Sequence, residues 1–123
     1  MRKDISMIRG DSLVFDMQIK DVENATVESL FFSVRECYKS PDYVFQLSIG
    51  NGIEPYTVQK TVGNETVEET KYRVRVAPDT TEGLKAQSYV YDLQLGMGGD
   101  IYTILIGEFT LKADVTREVG LNG

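Results

Sequence analysis

Three groups of residues have the types and spacing to do chemistry. Arg9-Gly10-Asp11 spells a tripeptide that presents a guanidinium and a carboxylate for cell adhesion when a flexible loop displays both. Glu68-Glu69 and Asp79 with Glu82 are carboxylates close enough in sequence to suggest acid and base work or a cation site, with Asp100 as a further loop carboxylate. Gly96, Gly98 and Gly99 crowd one stretch as phosphate-cradling glycines do. Each has a plainer structural use. The residues after the tripeptide alternate without a break, so Gly10-Asp11 reads as a bend into a strand. Glu68-Glu69 and Asp79/Glu82 fall in segments that read as solvated charge. The glycines are followed by neither a Lys-Ser pair nor a helix, and read as a turn.

The rest of the composition narrows the chemistry further. The chain has no histidine, which removes histidine-dependent triads, proton shuttles and metal sites. No run of acidic residues has the ligand spacing of an EF-hand, although Asp79, Glu82 or Asp100 could still reach a calcium ion. Cys37 is the single cysteine, so an internal disulfide is impossible, and within the strand-like LFFSVRECY it reads as a small packed side chain. No catalytic residue, cofactor or metal ligand is therefore expected, and the chain does not read as an enzyme. A net charge of −6 and a pI near 4.6 disfavour nucleic acid, whose attraction rests on neutralised phosphates. No apolar run marks a secretory signal or a membrane span, so the expectation is cytoplasmic synthesis without a signal peptide and without membrane association.

The elements that would position any site are strands. At 123 residues, 41% hydrophobic and 26% charged, the composition suits one globular domain, and no repeat or linker divides it. The alternation predicts about seven strands, near 12–20, 30–37, 43–49, 55–62, 67–77, 88–96 and 101–112. Residues 1–8 and 117–123 read as terminal extensions of a single β-sandwich spanning 1–123. Gly50-Asn51-Gly52 predicts a hairpin-like reversal, and Gly63-Asn64 the tip of a long hairpin. Pro78 to Gly83 predicts a loop or single helical turn capped by Asp79 or Thr80. A bend or bulge is expected at Gly107.

Leu13, Phe15, Met17, Ile19, Phe45, Leu47, Tyr91, Leu93 and Leu95 share the expected core face. Strands this short and evenly spaced point to an all-β, immunoglobulin-like sandwich of antiparallel strands. Tyr89, six residues after Gly83, stands where such folds place a corner tyrosine bonded back to upstream backbone. The run IYTILIG holds seven uncharged residues before Glu108. That is more than a half-covered strand needs, and Ile101, Tyr102, Ile104, Ile106 and Phe109 are the expected contact surface for a homo-oligomer or another protein.

The segments RGDSLVFDMQIKD, LFFSVRE and APDTTEGLKAQSYVYDLQLGMGGDIYTILIGEFTLKADVTRE resemble small β-sandwich domains of bacteriophage structural proteins. The likeness is to the N-terminal domain of the baseplate upper protein family. Arg9, Gly10 and Asp11 match its basic-glycine-aspartate opening, Tyr89, Tyr91 and Asp92 its penultimate strand, and Val115-Thr116 its end. The resemblance implies a tail or head component of a phage or prophage virion that docks onto other virion proteins without catalysis. Members of that family commonly continue into a coiled or receptor-facing region, whereas this chain stops at ADVTREVGLNG. The alternative is a bacterial extracellular adhesion or carbohydrate-binding module, with Tyr38, Tyr43, Tyr56 and Tyr102 as a stacking platform.

Overall fold

The computed structural model describes residues 2–19 and 27–114. Val115-Thr116 and the expected extension 117–123 lie outside them, as does the end of the first predicted strand at Lys20. The described residues are all-β apart from one helical turn. Its elements are β1 (Ile5–Ile8), β2 (Leu13–Met17), β3 (Val27–Arg35), β4 (Phe45–Ile49), β5 (Gly52–Val62), β6 (Glu65–Val76), α1 (Pro78–Glu82), β7 (Ser88–Met97) and β8 (Asp100–Lys112). They form one eight-stranded sheet in the order β1-β8-β7-β3-β4-β5-β6-β2.

That sheet is mixed and nearly closed into a barrel. Its two end strands, β1 and β2, are consecutive in sequence, so residues 9–12 bridge the remaining gap. A slot of about 250 Å³ marks the gap, with Ile5, Leu13, Phe15, Met17 and Leu105 on its apolar walls.

The expected strands appear close to their predicted bounds, with one addition. Residues 5–8 are not an extension, because β1 lies parallel to β8 from Ile5–Phe109 to Ile8–Lys112 and buries Met7. Four residues are too few for alternation to declare a strand, and it is β8 that holds them. Gly50-Asn51-Gly52 makes no hairpin either. Gly50 (φ 86°) and Gly52 (φ 97°) form a tight loop after which β5 runs parallel to β4. Only Ser48–Gly52 and Ile49–Ile53 pair between those two strands. Gly63-Asn64 does turn a hairpin, with β5 and β6 antiparallel from Val62–Glu65 to Ile53–Val74.

The core is the expected face. Leu47, Tyr91, Leu93 and Leu95 are buried, and Leu13, Phe15, Met17, Ile19 and Phe45 pack half-buried against them. Phe32 is the hub of an aromatic cluster, 5.0 Å from Tyr91, 6.1 Å from Phe15 and 6.3 Å from Phe45 and Phe109. Offset and edge-on rings at these separations add favourable quadrupole contacts to the buried area.

Tyr89 is a corner tyrosine, as its position suggested, and its hydroxyl donates to Lys85 O, four residues upstream, at 2.6 Å. α1 starts at Pro78 without a side-chain cap from Asp79 or Thr80. Proline at the first turn has no amide to satisfy, which reduces the need for one.

Candidate interaction surface

β8 begins at a two-residue turn in which Gly98 (φ 61°) and Gly99 (φ 82°) both take left-handed backbone. Asp100 thus lies directly opposite Met97, and the pairing with β7 continues through Ile101–Gly96, Tyr102–Leu95 and Thr103–Gln94. The next paired residues are Leu105 and Leu93, so Ile104 is an extra residue and the strand bulges there. The expected bulge at Gly107 is therefore misplaced. Gly107 serves close approach instead, since a Cβ there would stand 2.0 Å from Lys3 O and 3.0 Å from the Tyr91 ring.

The other edge of β8 is covered over only part of its length. β1 pairs from Phe109 to Lys112, Arg2 bridges to Ile106, and Lys3 N–H donates to Ile106 O at 2.8 Å. From Ile101 to Leu105 no strand pairs with that edge among the described residues. The same stretch carries exposed apolar side chains, with Ile101 71% and Tyr102 46% accessible.

The five expected contact residues divide accordingly. Ile101, Tyr102 and Ile106 are exposed, and Ile104 is half-buried against the core. Phe109 is fully buried, edge-on to Phe45 at 5.7 Å, and belongs to the core. Beyond the bulge at Ile104 the uncharged run mixes core and surface positions, so composition alone could not separate them.

Tyr91 anchors the covered half of the edge. Its hydroxyl donates to Lys3 O at 2.5 Å, and burial, with a smaller push from Asp4, raises its pKa to about 12. Beside it on β7, burial raises the Asp92 carboxyl, with Arg35 pulling it partly back. Asp4 accepts the Glu108 N–H at 3.0 Å and pairs with Arg2 at 3.3 Å.

The adhesive tripeptide is tied down. Arg9 Nε donates to Asp114 Oδ1 at 3.1 Å, its Nη1 to Leu84 O at 3.3 Å, and the Gly10 N–H to the buried Thr81 hydroxyl at 2.9 Å. Gly10 takes φ 82° and the Asp11 N–H closes a turn onto Ile8 O, so the segment is the expected bend into β2. Thr81 was not singled out in the sequence, where one threonine of a Thr-Thr pair carries no signal.

The other candidates do not converge. Glu68 and Glu69 are neighbours on one strand and point to opposite faces, and Glu69 pairs with Lys60 at 3.5 Å. Among the described residues no three of His, Cys, Asp or Glu gather as a metal site, and no helix is long and apolar enough to cross a membrane. An open groove of about 490 Å³ beside α1 has Arg73 and Arg75 balanced by Glu54 and Asp79.

Cys37 is exposed, against the expectation of a packed side chain. β3 ends at Arg35, and the turn that follows sets the thiol 3.3 Å from the Ser40 hydroxyl, which lowers its pKa. Tyr38 and Tyr43 lie in the β3–β4 connection, next to Arg35, which pairs with Val90 near the start of β7. Tyr102 pairs with Leu95 near the end of β7, and Tyr56 lies under Arg73 with its ring 4.9 Å from the guanidinium. The four tyrosines therefore form no common platform.

No protein-family model matches the chain, and no curated protein matches it. Among solved structures it is similar to a family 123 glycoside hydrolase from Clostridium perfringens, with 10% identity and a TM-score of 0.49. The match covers 94% of this chain and 23% of that one, so the chain spans about a quarter of the other protein's length. A likeness at that level carries no argument about activity.

Proposed function

We propose that this chain is a non-enzymatic structural module of a phage or prophage virion, tail or head associated, acting through protein contacts. The observation that carries the proposal is the start of β8, where an edge with no paired strand among the described residues coincides with exposed Ile101 and Tyr102. Monomeric proteins blunt such edges with charge, proline or bulges; the charge of Asp100 and the bulge at Ile104 flank this edge, and the three residues between them, Ile101 to Thr103, carry neither charge nor proline.

The finer fold assignment belongs to the same reading. We take the sheet as an immunoglobulin-like sandwich of β1-β8-β7-β3-β4 against β5-β6-β2, supported by the two-pair junction between β4 and β5 and by the Tyr89 corner. A scaffold of that kind serves as a docking body for the resemblance to baseplate upper protein domains.

The test is binding to the purified products of neighbouring genes, each assayed singly by size-exclusion chromatography. A complex with a tail or head protein that Ile101→Lys abolishes is the expected result. A wild type that binds none of them while those genes encode no virion proteins overturns the proposal.

A further inference from the structure

We infer that Asn51 is a site of spontaneous modification, where the Gly52 nitrogen displaces the side-chain amide and the residue becomes aspartate or isoaspartate.

The reaction needs an asparagine side chain free to swing, a following amide nitrogen free to attack, and no side chain crowding that nitrogen. Asn51 is exposed, and its side chain makes no hydrogen bond with any described residue. Residue 52 is glycine, so no Cβ stands beside the attacking nitrogen. Neither neighbouring strand engages the Gly52 N–H. The β4 contact runs through Ser48 N–H to Asn51 O at 3.0 Å and Gly50 N–H to Ile53 O at 2.9 Å, and pairing with β6 begins only at Ile53–Val74. Asn51 and Gly52 both line the open groove beside α1, so water reaches them.

The fold also favours the attacking species. The Gly52 nitrogen must first lose its proton, and the resulting charge spreads onto the carbonyl oxygen of the same peptide, Asn51 O. Ser48 N–H donates to that oxygen, and a donor aimed at developing charge stabilises it. Together with the bond from Asn51 N–H to Ser48 O at 2.8 Å, it fixes the main chain while the side chain turns to meet it.

The deprotonated Gly52 nitrogen bonds to Asn51 Cγ, the Cγ–Nδ2 bond breaks, and ammonia leaves with a proton taken from water. The product is a five-membered succinimide. Water then opens one of its two carbonyl–nitrogen bonds. Breaking the bond to Cγ gives aspartate, and breaking the bond to the main-chain carbon gives isoaspartate. Isoaspartate routes the backbone through Cβ, which adds one carbon to the loop closed by the Ser48–Gly52 pair. Two residue pairs make that junction between β4 and β5, so the extra atom disturbs the whole of it. Either product adds a carboxylate to the groove in which Glu54 and Asp79 balance Arg73 and Arg75, and turns it acidic.

The test holds folded and guanidinium-unfolded protein side by side in heavy-oxygen water at mildly alkaline pH, followed by peptide mapping in the mass spectrometer. Mapping separates Asn51 from Asn122, which also precedes a glycine. In the folded protein Asn51 should take up heavy oxygen at least as fast as in the unfolded chain, and ahead of Asn64, whose successor Glu65 carries a side chain. An isoaspartate methyltransferase should then label the product, and hydrogen exchange at Gly50 and Ile53 should quicken. Asn51→Gln, a change at an exposed side chain, should keep its amide and the exchange rates of fresh protein. The inference is overturned by an Asn51 that keeps its amide in the folded protein, converts more slowly there than in the unfolded chain, or converts after Asn64.

Discussion

Replacing Gly107 with alanine should peel β1 from the sheet. An added Cβ would sit 2.0 Å from Lys3 O and 2.7 Å from Lys3 C. Both are backbone atoms, so no side-chain rotation relieves the clash, and Lys3 must retreat by more than an ångström. That movement breaks the 2.8 Å bond from Lys3 N–H to Ile106 O and the Tyr91 hydroxyl bond to Lys3 O. Losing the Lys3–Ile106 bond costs about 1 kcal/mol, and leaving the Tyr91 hydroxyl without its partner costs about 1–3 kcal/mol. Against this, alanine in a strand regains roughly 0.5–1 kcal/mol of backbone entropy relative to glycine. The net expectation is a loss of roughly 1–3 kcal/mol.

The assay is urea denaturation together with native-state hydrogen exchange. Denaturation gives the global loss, and exchange should show protection falling first at Ile5–Ile8 and at the facing residues Phe109–Lys112. A loss below about 0.5 kcal/mol with β1 still protected would refute the close-approach role of Gly107.

Leu93→Ala removes a side chain that is 2% accessible within the core and should lower stability by about 2–5 kcal/mol in denaturant melts. Tyr89→Phe deletes the bond to Lys85 O and should reduce stability by about 1 kcal/mol without changing the sheet's circular dichroism. Raising the pH should erode stability between 10 and about 12, because the unfolded Tyr91 phenol ionises first while the folded one keeps its proton. The stability is intact below pH 10, and Tyr91→Phe should flatten the decline seen in pH-dependent melts. Asp11→Glu should leave cell attachment to the immobilised protein unchanged, since Arg9 is already held by Asp114 and Leu84. Integrin-dependent attachment lost in that variant would restore the adhesive reading.

What the sequence made legible was whatever repeats every two residues. Leu13, Phe15 and Met17, or Tyr91, Leu93 and Leu95, announce both a strand and the face it buries, because each side chain's fate follows from its parity. β1 stayed hidden because Ile5–Ile8 is short and follows the charged Arg2, Lys3 and Asp4. The parallel junction at Gly52 stayed hidden because glycines report permissive dihedrals without the direction in which the chain leaves. On β8 the uncharged run marked Ile101 and Phe109 alike as contact residues, because composition carries no face information and the bulge at Ile104 shifts every later residue by one position relative to β7, which turns Phe109 into the core. The restraint of Arg9 and Gly10 by Asp114, Leu84 and Thr81 joins residues more than 70 positions apart, and no local pattern encodes it.

The parallel pairing of β1 with β8 has a mechanical consequence. Tension applied between the amino end of β1 and the carboxyl end of β8 pulls the two strands in opposite senses along their common axis. Every bond from Ile5–Phe109 to Ile8–Lys112 is then loaded together in shear, and none can be unzipped in turn. Rupture must break the whole patch at once, which sets a high barrier and a slow rate of forced unfolding. Pulled from those two points, the strand pair acts as a clamp that guards the aromatic core behind it.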